Sequence, residues 1–300
     1  AISKQANRGF TTMLPSSDIS WVANNLSERF LMSKWQFCLS ATDANRFSLR
    51  IARALSGRSK IVVNDWCYHG TVDETLVILD EHGKTVSRPG AIGPQVNPGQ
   101  TTIAVPFNDL DAMEKALAGG DVACVLMEPA LTNIGIVLPQ SGYLEGVRRL
   151  TKQFGVILIL DETHTICAGP QGASRLWGIE PDMLVIGKTI GGGVPVAAYG
   201  MSAEVANKVE SLMQGHDLDV SGIGGTLSGS AFAGAAMRAT LTHALRQEDF
   251  DVAIPLATRW SIGVQSIIDL HDLPWTVQQL GCRAEYWFSA HPQNGSQAAA

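Results

Sequence analysis

Val156-Ile157-Leu158-Ile159-Leu160-Asp161-Glu162-Thr163-His164 sets five apolar residues directly ahead of two carboxylates. Five residues are too few for a buried helix and about right for a strand covered on both faces, as in a parallel sheet. Asp161 then falls at the strand's carboxyl end, where open α/β sheets place their ligands. Further along, Met183 to Ile186 reads as a second apolar strand, closed by Gly187-Lys188-Thr189-Ile190-Gly191-Gly192-Gly193. On the other side, Val122 to Met127 reads as a strand and Tyr143 to Phe154 as a helix.

The alternation extends upstream. Thr102 to Val105 and Lys60 to Asn64 read as strands, Asp109 to Ala118 and Thr42 to Ser56 as helices, and Trp35 to Leu39 as a short strand. Asp18 is expected to cap a first helix through Arg29, after a loop from Thr11 to Ser17. Gly83 to Gly99 is Gly/Pro-rich and is expected to be a long loop. Val196 to Tyr199 reads as a strand, and Gly229 to Leu245 as a small-residue helix. Another helix runs from about Phe250 to Leu270. Strands alternating with helices predict an α/β fold with a mostly parallel central sheet and helices on both faces. Residues 1–250 are expected to form a large domain and 251–300 to begin a smaller C-terminal one.

Composition limits the function. The 300 residues carry 22 basic and 28 acidic side chains, a net charge of −6, and 45% are apolar. That excludes intrinsic disorder and argues against a nucleic-acid partner, which calls for a basic patch. No apolar run approaches the roughly 20 residues that span a bilayer. Ala1-Ile2-Ser3-Lys4 lacks the apolar core of a signal peptide. Five cysteines, an odd number without a CxxC, fit buried thiols in a reducing compartment better than disulfides or a metal site. A cytoplasmic protein without a metal is expected. The absent initiator Met is expected to mean that residues precede Ala1.

Four local features carry chemistry. Ser40-Ala41-Thr42-Asp43-Ala44-Asn45 stands at a strand-to-helix junction, either as a simple N-cap or as an anion cradle at a helix N-terminus. Asp161 is either a cap or a carboxylate for a cationic ring nitrogen. Lys188 is either a solvated surface lysine or, in its apolar and glycine-rich setting, an amine suited to bonding a carbonyl. Gly224-Gly225-Thr226-Leu227-Ser228-Gly229-Ser230 is a turn ahead of a helix and a second possible phosphate contact.

In this order the four resemble the class III (ω-aminotransferase) family of pyridoxal-phosphate enzymes, within its glutamate-1-semialdehyde aminomutase-like branch. Leu160-Asp161-Glu162, Pro181-Asp182-Met183, Gly187-Lys188 and Gly191-Gly192-Gly193 carry the likeness. Tyr68-His69-Gly70, Glu128-Pro129 and Gly225-Thr226 add to it. The resemblance implies fold type I and pyridoxal 5'-phosphate as cofactor. It implies that Lys188 bonds the cofactor and moves a proton, and that Asp161 pairs with the ring nitrogen. Tyr68 would stack on the ring with His69 beside it, and Thr163 would lie under the opposite face. Asn133 and His164 would lie near the phenolic oxygen, with Glu128 behind the lysine. Ala41 and Thr42 would hold the phosphate, and Thr226 would reach the phosphate of a neighbouring subunit, giving a homodimer.

The family's phosphate loop usually has Gly where Ala41 stands, and both chain ends are expected to fall short of a full family member. The implied activity is transfer of an amino group from a β- or ω-amino type donor to a keto acid, aldehyde or ketone. Its alternatives are an aminomutase moving the group within one molecule, or a non-catalytic protein that keeps the fold.

Overall fold

The computed structural model describes residues 1–11, 14–213 and 222–300. Thr12 and Met13 of the expected N-terminal loop lie outside the described residues. In chain order the strands are β1 (Lys34–Cys38), β2 (Lys60–Asn64), β3 (Val77–Leu79), β4 (Thr85–Ser87), β5 (Thr102–Val105), β6 (Val122–Met127), β7 (Ile157–Asp161), β8 (Met183–Ile186), β9 (Ala197–Met201), β10 (Thr276–Leu280) and β11 (Arg283–Trp287). Seven of them form one sheet in the order β1-β9-β8-β7-β6-β2-β5. The pairs β8·β7, β7·β6, β6·β2 and β2·β5 are parallel, whereas β9 is antiparallel to both its neighbours. Six strands therefore point the same way, and their carboxyl ends share one edge.

Helices close both faces. They are α1 (Ile2–Ala6), α2 (Ser17–Phe30), α3 (Ala41–Ser56), α4 (Leu110–Leu117), α5 (Tyr143–Phe154), α6 (Gly172–Leu176), α7 (Ala203–Met213), α8 (Ala231–His243), α9 (Gln247–Leu270) and α10 (Gly295–Ala299). Side chains alternate across a strand. On β8, Met183 and Val185 join the core under α3, while Leu184 and Ile186 join the core under α2 and α8. The helix faces match. Ile19, Val22, Leu26 and Phe30 of α2 recur at three- and four-residue steps, and all four are buried. The helix expected to start at Asp18 is α2, the second in the chain, and it is capped by Ser16, whose side chain accepts from the Ile19 amide, rather than by Asp18, which lies inside the first turn.

Asp182 ties the layers together. Its carboxylate takes both terminal nitrogens of Arg148 on α5, at 2.8 and 2.7 Å, and the Leu158 amide of β7 at 2.8 Å. This fixes α5 against the β7–β8 step that leads into Lys188. The stretch from Gly83 to Gly99 is not wholly a loop, because β4 pairs there with β3 as a short antiparallel ribbon. The long helix α9 begins at Gln247, so a boundary after residue 250 falls inside it; α9 is followed by the β10–β11 hairpin. The tail that carries little pattern ends in α10, capped by Asn294.

Candidate active site

The carboxyl edge of the sheet opens into a cavity of about 670 Å³. Its walls are Leu39, Ser40, Ala41 and Thr42 after β1; Tyr68 and Gly70 after β2; Glu128 after β6; Asp161, Thr163 and His164 from β7; and Lys188, Thr189 and Gly193–Val196 after β8. Residues up to 157 positions apart thus meet because parallel strands deliver their ends to one place.

Asp161 is the last residue of β7 and is buried. Its Oδ2 accepts from Asn45 Nδ2 at 2.8 Å and from His69 Nδ1 at 2.9 Å, and its Oδ1 accepts from the Thr163 amide at 3.1 Å. Burial alone would raise its pKa, but His69, Thr163 and Asn45 outweigh it and hold the carboxyl below its usual range. Burial likewise opposes charge on His69, yet Cys67 and Asp161 raise its pKa well above that of ordinary imidazole. Each member of this buried pair thus favours the charged form of the other. His69 is wholly buried and backs Asp161 instead of lining the cavity beside Tyr68.

Glu162, next in sequence, points away. It accepts from Thr165 Oγ1 at 2.5 Å and from the Ala173 and Ser174 amides at 3.0 and 2.6 Å. It therefore fixes the loop that carries Thr163 and His164.

Lys188 follows β8 with φ +47°, in the left-handed region that costs a non-glycine residue about 1–3 kcal/mol. The turn throws its side chain into the cavity, where Nζ lies 2.6 Å from His164 Nε2. Burial, with Lys188 and Arg283 opposing a further positive charge, lowers the His164 pKa to about 4. Glu128 accepts from Thr132 Oγ1, and burial pushes its pKa up to about 7.

At the opposite wall, α3 begins with the Ser40 side chain accepting from the Asp43 amide at 3.2 Å. A helix of 16 residues presents its positive end there. Gly70, at φ +80°, lies so close to Thr42 that a Cβ would overlap Thr42 Oγ1. That approach lets the Thr71 amide donate to Thr42 Oγ1 at 3.2 Å.

The donor set fits a phosphorylated cationic ring with a reactive carbonyl. A helix N-terminus and a threonine suit the phosphate, a charged buried carboxylate suits a ring N–H, and an amine faces the space between. Thr163 Oγ1 is buried without a hydrogen-bond partner among the described residues, which leaves one polar atom free for a bound group.

The structure brings together Ala41, Thr42, Tyr68, Glu128, Asp161, Thr163, His164 and Lys188. It does not bring in Asn133, which is exposed and outside the cavity wall; the neighbouring Thr132 makes the contact to His164 at 2.7 Å instead. Thr226 is exposed and also outside the wall. Two residues were given no role from the sequence. Asn45 lies one turn into α3 and holds Asp161, and its place on the helix's buried face is a signal the sequence does carry. Thr132 has no such local signal.

The aminotransferase class-III family matches residues 1–258. Glutamate-1-semialdehyde 2,1-aminomutase of Chloroflexus aggregans is 34% identical over 299 residues, covering 97% of this chain and 66% of that protein. The crystal structure of a glutamate-1-semialdehyde-aminomutase from Pseudomonas aeruginosa PAO1 is 46% identical, covers 99% of this chain and 67% of its own, and superposes with a TM-score of 0.96. An omega-transaminase from Sphaerobacter thermophilus is 26% identical over 99% of this chain and 69% of its own, with a TM-score of 0.88. The chain thus spans 66% of the length of the Chloroflexus relative. With its α/β sheet, its lysine and aspartate at the carboxyl edge and a family match over most of its length, the chain belongs to the class-III aminotransferases, of fold type I.

Proposed function

We propose that this chain carries the pyridoxal-phosphate centre of an aminomutase of the glutamate-1-semialdehyde type, an isomerase that moves an amino group between neighbouring carbons of one molecule. The sequence reading put an aminotransferase first and this alternative second. The observation that reverses the order is the 34–46% identity to proteins named as aminomutases, against 26% to an omega-transaminase.

The cofactor, when bound, supplies the carbonyl and the electron sink. Ala41, Thr42 and the α3 N-terminus hold its phosphate. Asp161, kept ionised by His69 and Asn45, holds a proton on the ring nitrogen. Tyr68 and Thr163 line the cavity where the ring would lie. Lys188 would supply the amine that bonds the cofactor and would carry the proton moved in the reaction, and His164, 2.6 Å from its Nζ, would orient it. The active unit is a homodimer in which Thr226 reaches the neighbour's phosphate, and the location is cytoplasmic.

The full chain, loaded with cofactor, is mixed with glutamate 1-semialdehyde and no other amine or keto acid. Formation of the isomer with its amino group on the terminal carbon is the expected result, and Lys188→Ala abolishes it. An aminotransferase instead turns over repeatedly to a keto product only when donor and acceptor are both added, and that outcome overturns the aminomutase reading.

A further inference from the structure

Lys188, His164, Thr132 and Glu128 stand in one line of polar contacts. Lys188 Nζ is 2.6 Å from His164 Nε2, His164 Nδ1 is 2.7 Å from Thr132 Oγ1, and Thr132 Oγ1 donates to Glu128 Oε2. Thr132 and Glu128 are buried. The proton positions along this line depend on one another. An ionised carboxylate only accepts, so the single hydroxyl proton of Thr132 goes to Glu128. Thr132 Oγ1 then has only lone pairs for His164, and the ring must carry its proton on Nδ1. A neutral imidazole has one N–H, so Nε2 is bare and accepts from Lys188.

We propose that Thr132 and Glu128 are positioning residues: Glu128, acting through the Thr132 hydroxyl, sets which ring nitrogen of His164 carries the proton. It thereby sets whether Nε2 is bare and accepts from Lys188, or carries a proton and cannot. With Glu128 ionised, Nε2 takes one N–H of Lys188. One proton added to Glu128 reverses the line. The carboxyl O–H donates to Thr132 Oγ1, and the Thr132 O–H turns to His164 Nδ1. The ring loses its Nδ1 proton and gains one at Nε2, by exchange at the open Lys188 end. The net change is one proton, held by Glu128.

Burial places this reversal near neutral pH, since it moves the Glu128 pKa up to about 7, against the pull of His69, Thr132 and the Tyr68 amide and with the push of Asp161. The charges facing His164 are Lys188, Arg283 and His69 on the positive side, and Asp161 together with Glu128, whose Oε2 is 4.0 Å from Nδ1, on the negative side. They keep the ring itself neutral through the same range, so its tautomer changes without its charge. The inference rests on reading Lys188 as the amine that bonds the cofactor, but its test needs neither cofactor nor turnover.

The test is long-range proton–nitrogen NMR of the histidine rings in the ¹⁵N-labelled, cofactor-free full chain, from about pH 5.5 to about pH 8.5. The His164 signals are identified by their loss in His164→Gln. The expected wild-type result is an Nδ1–H ring at high pH that passes to Nε2–H on acidification, with a midpoint near 7. Thr132→Val should remove the step, leaving one tautomer across the whole pH range. Thr132→Ser should restore the step, and Glu128→Gln should remove it. An Nε2–H ring throughout in the wild type, or a step that survives Glu128→Gln or Thr132→Val, overturns the proposal. If Thr132→Val does not fold, the wild-type step and its loss in Glu128→Gln still decide. A purely structural Thr132 changes melting temperature and leaves the tautomer alone. Failure of the aminomutase assay leaves each of these outcomes readable.

Discussion

Two buried carboxyl groups stand at adjacent strand ends, and their surroundings push them in opposite directions. Asp161 is held ionised by three donors, whereas at Glu128 burial prevails over His69, the Thr132 hydroxyl and the Tyr68 amide. Different pH windows follow. The lowered pKa of Asp161 adds stability above the ordinary carboxylate range, and that stability is lost as pH falls through the lowered value. The raised pKa of His69 adds stability below the ordinary imidazole value, and it is lost as pH rises through the raised one. Glu128 works the other way. Folded, it keeps its proton up to about 7, against an ordinary glutamate value of 4.5. The native state therefore binds more protons than the unfolded chain in that interval, and stability falls as pH rises across it. Above it a penalty of roughly 3 kcal/mol remains. Glu128→Gln has no proton to lose. Its stability relative to wild type, from denaturant unfolding, should climb by up to roughly 3 kcal/mol between about pH 5 and about pH 8.5. A difference that stays constant across that range would show that Glu128 is ionised at both ends.

At the scale of elements, the site depends on how closely the turn after β2 meets the first turn of α3. Gly70 makes that approach possible, with φ +80° and no room for a Cβ beside Thr42. Gly70→Ala should cost about 2–4 kcal/mol and weaken phosphate binding at the α3 N-terminus. Thr42→Ala removes the overlapping hydroxyl, so in the Gly70→Ala background it should cost about 1 kcal/mol less than it does alone. A double-mutant cycle by thermal unfolding reads this coupling, and strict additivity would mean the two elements are not in contact. Much at this scale was legible in the sequence. Lys60–Asn64, Thr102–Val105, Val122–Met127, Met183–Ile186 and Tyr143–Phe154 have the bounds the apolar pattern predicts, because each is a buried run or stripe closed by turn residues. The β3–β4 ribbon was not legible, since strands of three residues barely exceed the turns around them. Pro15-Ser16-Ser17-Asp18 offers three capping side chains in a row, and only backbone geometry selects Ser16. The reversed direction of β9 did have a signal. Ten residues separate β8 from β9, fewer than the dozen or more that a parallel crossover needs. Thr132 had none, because its partner His164 is 32 residues away on another strand's loop.

For the whole molecule, the wall of one protomer's cavity comes from the residues that follow β1, β2, β6, β7 and β8, and the Gly224–Ser230 turn takes no part in that wall. Thr226 is exposed in that turn, just ahead of α8. If it contacts phosphate, as the family resemblance implies, it does so in a second copy of the chain, and each site is then shared between two subunits. A two-fold dimer makes this arrangement reciprocal: each subunit gives its Thr226 to the other's Lys188. Complementation tests it directly. Lys188→Ala chains lack the bonding amine, and Thr226→Ala chains hold cofactor poorly when it is scarce. In a mixed dimer, one site collects both lesions and the other neither. Equal mixing with free subunit exchange makes about half the dimers mixed, so about a quarter of all sites become intact. Visible absorbance of bound cofactor and turnover, both at limiting cofactor, should rise to about a quarter of the wild-type level on mixing. If each variant simply keeps its own residual activity, Thr226 serves no neighbouring site and every site is built within one chain.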